Sequence, residues 1–345
     1  MKHFFCTYFN SGYLNRGLAL IQSMNRWVPD FDLEVLCFDD VAYDYLLALN
    51  DSRLHVVRLT EFEVRNPDVA ATKPTRSRSE FFFTCTAAWI YDVLVRRNEV
   101  DILVYLDADT FIFDTPECIY ELMKDKDIMI CAHDFAPKQK YQEIYGLYNV
   151  GVIAFRNNDN GIACVKRWRD QCVDWCYDRL EDGKFADQKY LDAWPELYKD
   201  RLLIAPPGIN TGPWGLRRGE MKIEDGRTIS ISGCRLIIYH FQGLRLYSNR
   251  HFYAGCVFDF SPCDVLEGIY WPYVRAVVTL SNAIGGDIGA HMRYAKENFA
   301  VRSLMGYWVG SRLTTFMIWT IQRTVLAIIN RNILLMLMGR KRQGK

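Results

Sequence analysis

The 345-residue chain lacks any apolar run long enough to span a bilayer, and after MKHFFCTYF the polar NSGYLNRG comes too soon for a secretory signal. A cytoplasmic location is therefore the expectation. A disulfide framework is also missing: the eleven cysteines are odd in number and sit in apolar segments such as EVLCF and IMICAH. Cys172 and Cys176 lie one helical turn apart, but no second pair stands at zinc-ligand spacing, so both read as packing residues. Strong net charge is absent at +1, and nucleic acid is not an expected partner. Neither an internal repeat nor a low-complexity tract is visible.

What is present is a globular composition, 50% apolar and 24% charged, with enough length for one large core or two modest ones. The first 115 residues alternate strand-like runs (HFFCTYF, LEVLCF, LHVVRL, DILVYL) with helix-like ones (YLNRGLALIQSMNRW, VAYDYLLAL, FFFTCTAAWIYDVLVRR). That rhythm predicts an α/β fold with a mostly parallel central sheet flanked by helices. Between Glu63 and Glu80, VRNPDVAATKPTRSRS is polar with two prolines and reads as an exposed loop near a substrate cleft. Strands are expected again at DIMICAHDF, NVGVIAFRN, DRLLIA and RLIIYHFQG, with a long amphipathic helix through VKRWRDQCVDWCYDRL.

The charge hides an asymmetry. From His291 onward ten Lys or Arg face one acidic residue, a net +9 that leaves −8 for the rest. Apolar segments LMGYWVG, LTTFMIW, TVLAII and ILLMLMG are interrupted by Arg302, Arg312, Arg323 and Arg331. On a continuous helix these arginines fall within about 100° of one another as one stripe, and Trp308, Phe316 and Trp319 are read as part of the helix's apolar surface. With the terminal GRKRQGK, the pattern predicts an interfacial helix on an anionic membrane surface. The chain is thus divided into a body at 1–265 and a C-terminal helical, basic amphipathic, membrane-associating region at 266–345.

In YLDADTFIFD, Asp107 and Asp109 sit at the carboxyl end of a strand covered on both faces, where open α/β sheets bind ligands. Two carboxylates at i and i+2 across a turn can converge on one hard divalent cation; apart from it they would repel. Three further constellations stand at strand ends or helix starts: Asn149 and Gly151 in YNVGVIAF, Asp187-Gln188 in FADQKYLDAW, and His240 in LIIYHFQG. Taken singly, these would be a turn residue, an N-cap and a core histidine.

In this order, with 78 residues from Asp109 to Asp187 and 53 from Asp187 to His240, the motifs resemble GT-A-fold glycosyltransferases of the family 8 type. The resemblance spans roughly residues 4–243. It implies that Asp107, Asp109 and His240 bind Mn²⁺ or Mg²⁺ between the phosphates of a nucleotide-diphosphate sugar, a UDP-sugar first. Asp187 and Gln188 would be the catalytic pair, the first holding a sugar hydroxyl and the second facing the anomeric carbon. Donor contacts would come from Thr7, Tyr8, Tyr13, Ala108, Asp107, Asp109, Asn149, Gly151 and Gly243. The family's Lys and Trp after the HFxG segment are missing from HFQGLRLYSN, which leaves Arg245 as the nearest cation, and Arg76 and Arg78 stand in for the family's donor-binding Arg. The implied reaction moves a hexose, with retention, to a saccharide or lipid-linked acceptor in bacterial surface polysaccharide or lipopolysaccharide synthesis, on the inner face of the cell membrane.

Two other readings of the same residues exist. LDADT also resembles the DxDxT of haloacid dehalogenase-type phosphohydrolases, with Asp107 as nucleophile, although that motif follows a first strand and here three βα units precede it. A sugar-nucleotide-forming nucleotidyltransferase would need a GxGxRL loop near the N-terminus, and none is present.

Overall fold

The computed structural model describes residues 2–217, 219–224, 228–247, 251–256, 262–285 and 307–309. The strands and helices of the first half follow the hydrophobic pattern: β1 (His3–Phe9), α1 (Leu14–Trp27), β2 (Phe31–Cys37), α2 (Asp40–Ala48) and β3 (Leu54–Arg58). Then come α3 (Leu59–Arg65), α4 (Pro67–Thr72), α5 (Arg78–Arg96), β4 (Ile102–Leu106), β5 (Thr110–Ile112), α6 (Glu117–Leu122) and β6 (Ile128–Ala132). The second half has β7 (Tyr148–Arg156), α7 (Asp159–Asp174), α8 (Trp194–Tyr198) and β8 (Leu202–Ile204).

Seven strands form one sheet in the order β3-β2-β1-β4-β7-β6-β8, in which only β7 runs antiparallel to its neighbours. This is the mostly parallel α/β architecture expected. Alternation along β4 shows why its sequence is apolar throughout. Val104 and Leu106 pack with α1 and α2, while Leu103 and Tyr105 pack with α5 and α7. Both faces are covered, so no position on the strand can be polar until it leaves the sheet at Asp107.

The segment expected as a loop before Glu80 is instead helical. Pro67 supplies the first turn of α4, where its missing N–H costs nothing, and Phe62, Val69 and Thr72 are buried. Arg65 locks the segment down through two hydrogen bonds to Asp92 on α5. The start of α5 is a capping box, Ser77 with Glu80.

Beyond β8 a smaller layer was not foreseen: β9 (Met221–Glu224), β10 (Thr228–Ile231) and β11 (Cys234–Arg235) pair in a small antiparallel sheet. β12 (Ile238–His240) pairs with β5 rather than with the main sheet. β13 (Leu244–Leu246) and β14 (His251–Ala254) follow as a second antiparallel pair. Next are α9 (Cys263–Val265), a π-helical turn over Leu266–Tyr270, and α10 (Trp271–Ile284). This helical stretch crosses the division expected at 265 and packs on the body: Tyr273, Val274 and Val277 join a core with β12, β13 and β14. Asn15 of α1 donates to Ser281 of α10 at 2.8 Å, both buried.

Most of the basic C-terminal region lies outside the described residues, including the arginine stripe and the terminal GRKRQGK. Its described part, β15 (Tyr307–Val309), is a strand antiparallel to β14. An unbroken helix through Trp308 is therefore not formed, because the backbone groups there pair with a neighbouring strand. Among the described residues no helix is long and apolar enough to cross a membrane.

Candidate active site

The turn from β4 to β5 is set by Thr110, whose backbone N–H and hydroxyl both donate to the Asp107 carbonyl, at 3.0 and 2.8 Å. The Asp107 N–H in turn donates to Gly151 O of β7 at 2.9 Å. Opposite, His240 lies across from Thr110 in the β5–β12 pair, and Phe241 N–H donates to Asp109 O at 2.9 Å. Two strands distant in sequence thus bring three side chains together. His240 Nε2 is 3.2 Å from Asp109 Oδ1 and 3.5 Å from Asp107 Oδ2, and one ligand atom from each of the three lies within 4.8 Å of the others.

Two carboxylate oxygens and an imidazole nitrogen so close together form a donor set suited to a divalent cation such as Mn²⁺ or Mg²⁺. Without a cation the charges work on one another. Burial pushes Asp107 above its ordinary range, against the pull of His240, and the Asp109 charge adds to the rise. Burial acts on Asp109 in the same direction, but His240 and Arg16 outweigh it and hold this carboxyl below the ordinary range. For His240 burial opposes the cation, yet the two aspartates raise the ring above the usual imidazole value.

The trio opens on a cavity of about 560 Å³, also lined by Tyr8, Tyr13, Asn149, Asp187 and Gln188. Asp187 does not cap the helical turn that follows it, since its side chain makes no capping hydrogen bond. It is buried instead, behind Ala186 at φ +44°, a conformation that an L-residue keeps only under constraint. Burial pushes its carboxyl up to about 7, the Thr86 hydrogen bond opposing and Asp107 adding to the rise. Gln188 Nε2 donates to Tyr145 O at 3.1 Å. The Tyr8 hydroxyl meets Thr86 Oγ1 at 3.0 Å, and Tyr105 donates to Asp107 Oδ1 at 2.6 Å.

Ala108, Gly151, Asp107 and Asp109 also line the cavity. Other expected donor contacts are placed differently. Thr7 is wholly buried in β1 and does not line the cavity. Arg76 stacks on Tyr177 at 3.8 Å and donates to Val173 O and Asp174 O, so its charge clamps the end of α7. Arg78 lies over Phe82 at 5.6 Å, outside the cavity lining. Gly243, at φ +74°, makes the turn into β13, and it is Gln242 before it that reaches the cavity. Arg245 is exposed on β13, near enough to act on Tyr13.

Sequence reasoning missed several residues. Arg16 donates to Leu244 O at 3.0 Å, lies over the Tyr13 ring at 4.3 Å and acts on Asp109. In the sequence it is an ordinary polar position near the start of α1. Asn210, within the Pro/Gly-rich segment APPGINTGPWG that follows β8, donates to Asn149 Oδ1 at 2.9 Å, and His133 Nε2 stands 3.2 Å from Asn149 Nδ2. Burial lowers His133 to about 4, which keeps it neutral. No local pattern marks either residue, because their partners are 61 and 16 positions away.

No known family profile matches the chain. Among curated protein sequences it is similar to YfnF of Bacillus subtilis (strain 168), an uncharacterized protein, with 31% identity over 255 residues, 72% of this chain and 84% of that protein. YfnD of the same organism, likewise uncharacterized, is 26% identical over 273 residues, 78% of this chain and 87% of that protein. Among solved structures, galactosyltransferase LgtC in complex with donor and acceptor sugar analogs overlaps 70% of this chain and 87% of its own, at 15% identity and a TM-score of 0.46. A score below 0.5 carries no assignment by itself.

Proposed function

The chain belongs to the family of Bacillus subtilis YfnF, and we propose that it is a metal-dependent GT-A glycosyltransferase that transfers a hexose from a nucleotide-diphosphate sugar, a UDP-sugar first, to a saccharide or lipid-linked acceptor with retention. The observation that carries this reading is the Asp107, Asp109 and His240 trio, within 4.8 Å at the end of a central strand and open to a cavity shared with Asp187 and Gln188.

A bound Mn²⁺ or Mg²⁺ would supply a Lewis acid for the β-phosphate, whose negative charge grows as the sugar leaves. The chain's own groups do the rest. Asp187, titrating near neutrality, offers a sugar hydroxyl either a donor or an acceptor. Gln188 is held by Tyr145 O through its nitrogen, which leaves the amide oxygen to face a developing positive charge at the anomeric carbon without the nucleophilicity to trap it. The bond from that carbon to the phosphate oxygen breaks, one to the acceptor oxygen forms on the same face, and the acceptor proton goes to the departing phosphate. Tyr13, exposed at the cavity rim and stacked on Arg16, is the candidate platform for the base.

The phosphohydrolase alternative finds no support in the fold. The motif follows β4, inside the sheet, and Asp107 is already engaged by Tyr105 and stands beside His240. Membrane attachment through the basic C-terminal region, next to a lipid-linked acceptor in surface polysaccharide or lipopolysaccharide synthesis, remains part of this proposal and rests on sequence alone. Thermal-shift screening of UDP-, GDP- and dTDP-sugars with and without Mn²⁺ tests the whole reading. Stabilisation by one donor only when metal is present is the expected result, and indifference to all of them would refute it.

A further inference from the structure

We infer that Asn149 orients the metal ligand His240, and does not contact the donor sugar, with Gly151 and Asn210 as its supports. The inference rests on the metal-site reading of the trio and assigns a task to the Asn-x-Gly pattern of β7.

Hydrogen-bond direction carries the argument. The Gly151 amide can only donate, so the Asn149 atom it meets at 2.8 Å is the carbonyl Oδ1. Asn210 Nδ2 donates to the same oxygen at 2.9 Å and also lies 3.4 Å from the Asn149 backbone carbonyl, which fixes that amide as well. His240 Nδ1 stands 3.1 Å from Oδ1, and facing an acceptor it must carry a hydrogen. In the neutral ring the lone pair then belongs to Nε2, the nitrogen that faces Asp109 and Asp107. At its other end Asn149 Nδ2 meets His133 Nε2 at 3.2 Å, so both ends of the amide are held and it cannot flip.

Gly151 provides the room. A Cβ there would overlap Nδ1 and Cε1 of His240 and approach Asn149 Oδ1 at 2.8 Å. Residues i and i+2 share one face of a strand, so Asn149 holds the edge of the imidazole while Gly151 leaves space for its ring. A ligating histidine ordinarily hands its second N–H to a carboxylate, a carbonyl or water; here a side-chain amide oxygen takes that place.

The test uses the full chain and Mn²⁺ alone. Asn149→Leu keeps the size but has no acceptor, Asn149→Asp keeps the acceptor, and Asp109→Asn serves as the control for the site itself. Asn149→Leu should bind Mn²⁺ roughly 10- to 100-fold more weakly, the usual loss when such a partner is removed, and should lose the imidazole-nitrogen modulation in spin-echo EPR. Asn149→Asp should restore both. If Asn149→Leu keeps wild-type affinity and modulation and weakens only sugar-nucleotide binding, Asn149 is a sugar contact and the inference is overturned. If Asp109→Asn also binds Mn²⁺ normally, it is the metal-site reading that has failed. Should Asn149→Leu not fold, Asn210→Ala removes one support of the amide: weakened Mn²⁺ binding upholds the inference, and unchanged binding and modulation overturn it.

Discussion

Replacing Asp187 by Asn removes a carboxyl that the fold keeps from ionising freely. Burial, with the Asp107 charge adding, moves its pKa from 3.8 to about 7, so folding takes up a proton wherever the pH lies between those values. A group shifted upward in this way is at no disadvantage below the lower value, and stability is lost as pH rises through the window. At about 1.4 kcal/mol per unit the full cost in the ionised state is about 4 kcal/mol, of which about 2 kcal/mol accrues between roughly pH 5.5 and pH 7. Asn cannot ionise and occupies nearly the same space. Urea denaturation of both proteins in EDTA should therefore show Asp187→Asn gaining on the wild type by about 2 kcal/mol from pH 5.5 to pH 8.5. The variant should still bind Mn²⁺ while losing transfer. A stability difference that does not change with pH would refute the reasoning, since Asp187 would then not titrate in that range.

Asp107→Asn and Asp109→Asn should each abolish metal-dependent donor binding; near-native turnover with Mn²⁺ would contradict this. Asp107→Asn should leave the metal-free melting temperature no lower, because burial and the Asp109 charge oppose ionisation of Asp107, whereas Asp109→Asn should lower it near neutral pH, because it gives up the pull of His240 and Arg16. Burial resists a charge on His240, but Asp109 and Asp107 prevail and hold its proton above the ordinary imidazole range. Mn²⁺ affinity should therefore fall as pH drops from about 8 to about 6, and EPR titration should find that dependence much flatter in His240→Ala. A chain ended after residue 289 should keep nucleotide binding but no longer sediment with anionic vesicles, where each basic residue near the surface contributes about 1 kcal/mol. Reversing charge at Arg340, Lys341 and Arg342 should weaken vesicle binding in a salt-dependent manner. A full-length protein that ignores vesicles would remove the membrane part of the proposal.

The parts legible in the sequence are those written in local pattern. β4 reads as a strand because both of its faces are buried, and its end reads as a site because the first carboxylate falls where the cover stops. Motif order located Asp187 and His240, each with a commonplace meaning on its own. What escaped depends on contacts between distant residues. Two prolines and a run of polar residues suggested a loop before Glu80, yet buried Phe62 and Val69 and the Arg65 to Asp92 bonds make it helical. Arg76 looked available to the donor, but Tyr177 and the end of α7 hold it, and Arg16 is a cation that acts on Asp109. Thr86 and Tyr105 touch Asp187 and Asp107 from elements whose periodicity signals only packing. The link from Asn210 through Asn149 to His240 joins three separate segments that no local spacing rule connects.

Calorimetric titration of UDP into the full-length protein, in Mn²⁺ and again in EDTA, tests the central claim most directly. Binding that appears only with Mn²⁺, and that disappears in Asp107→Asn and Asp109→Asn, is the predicted result. UDP binding of equal strength in EDTA, or Mn²⁺-dependent binding that survives loss of either carboxylate, would contradict it.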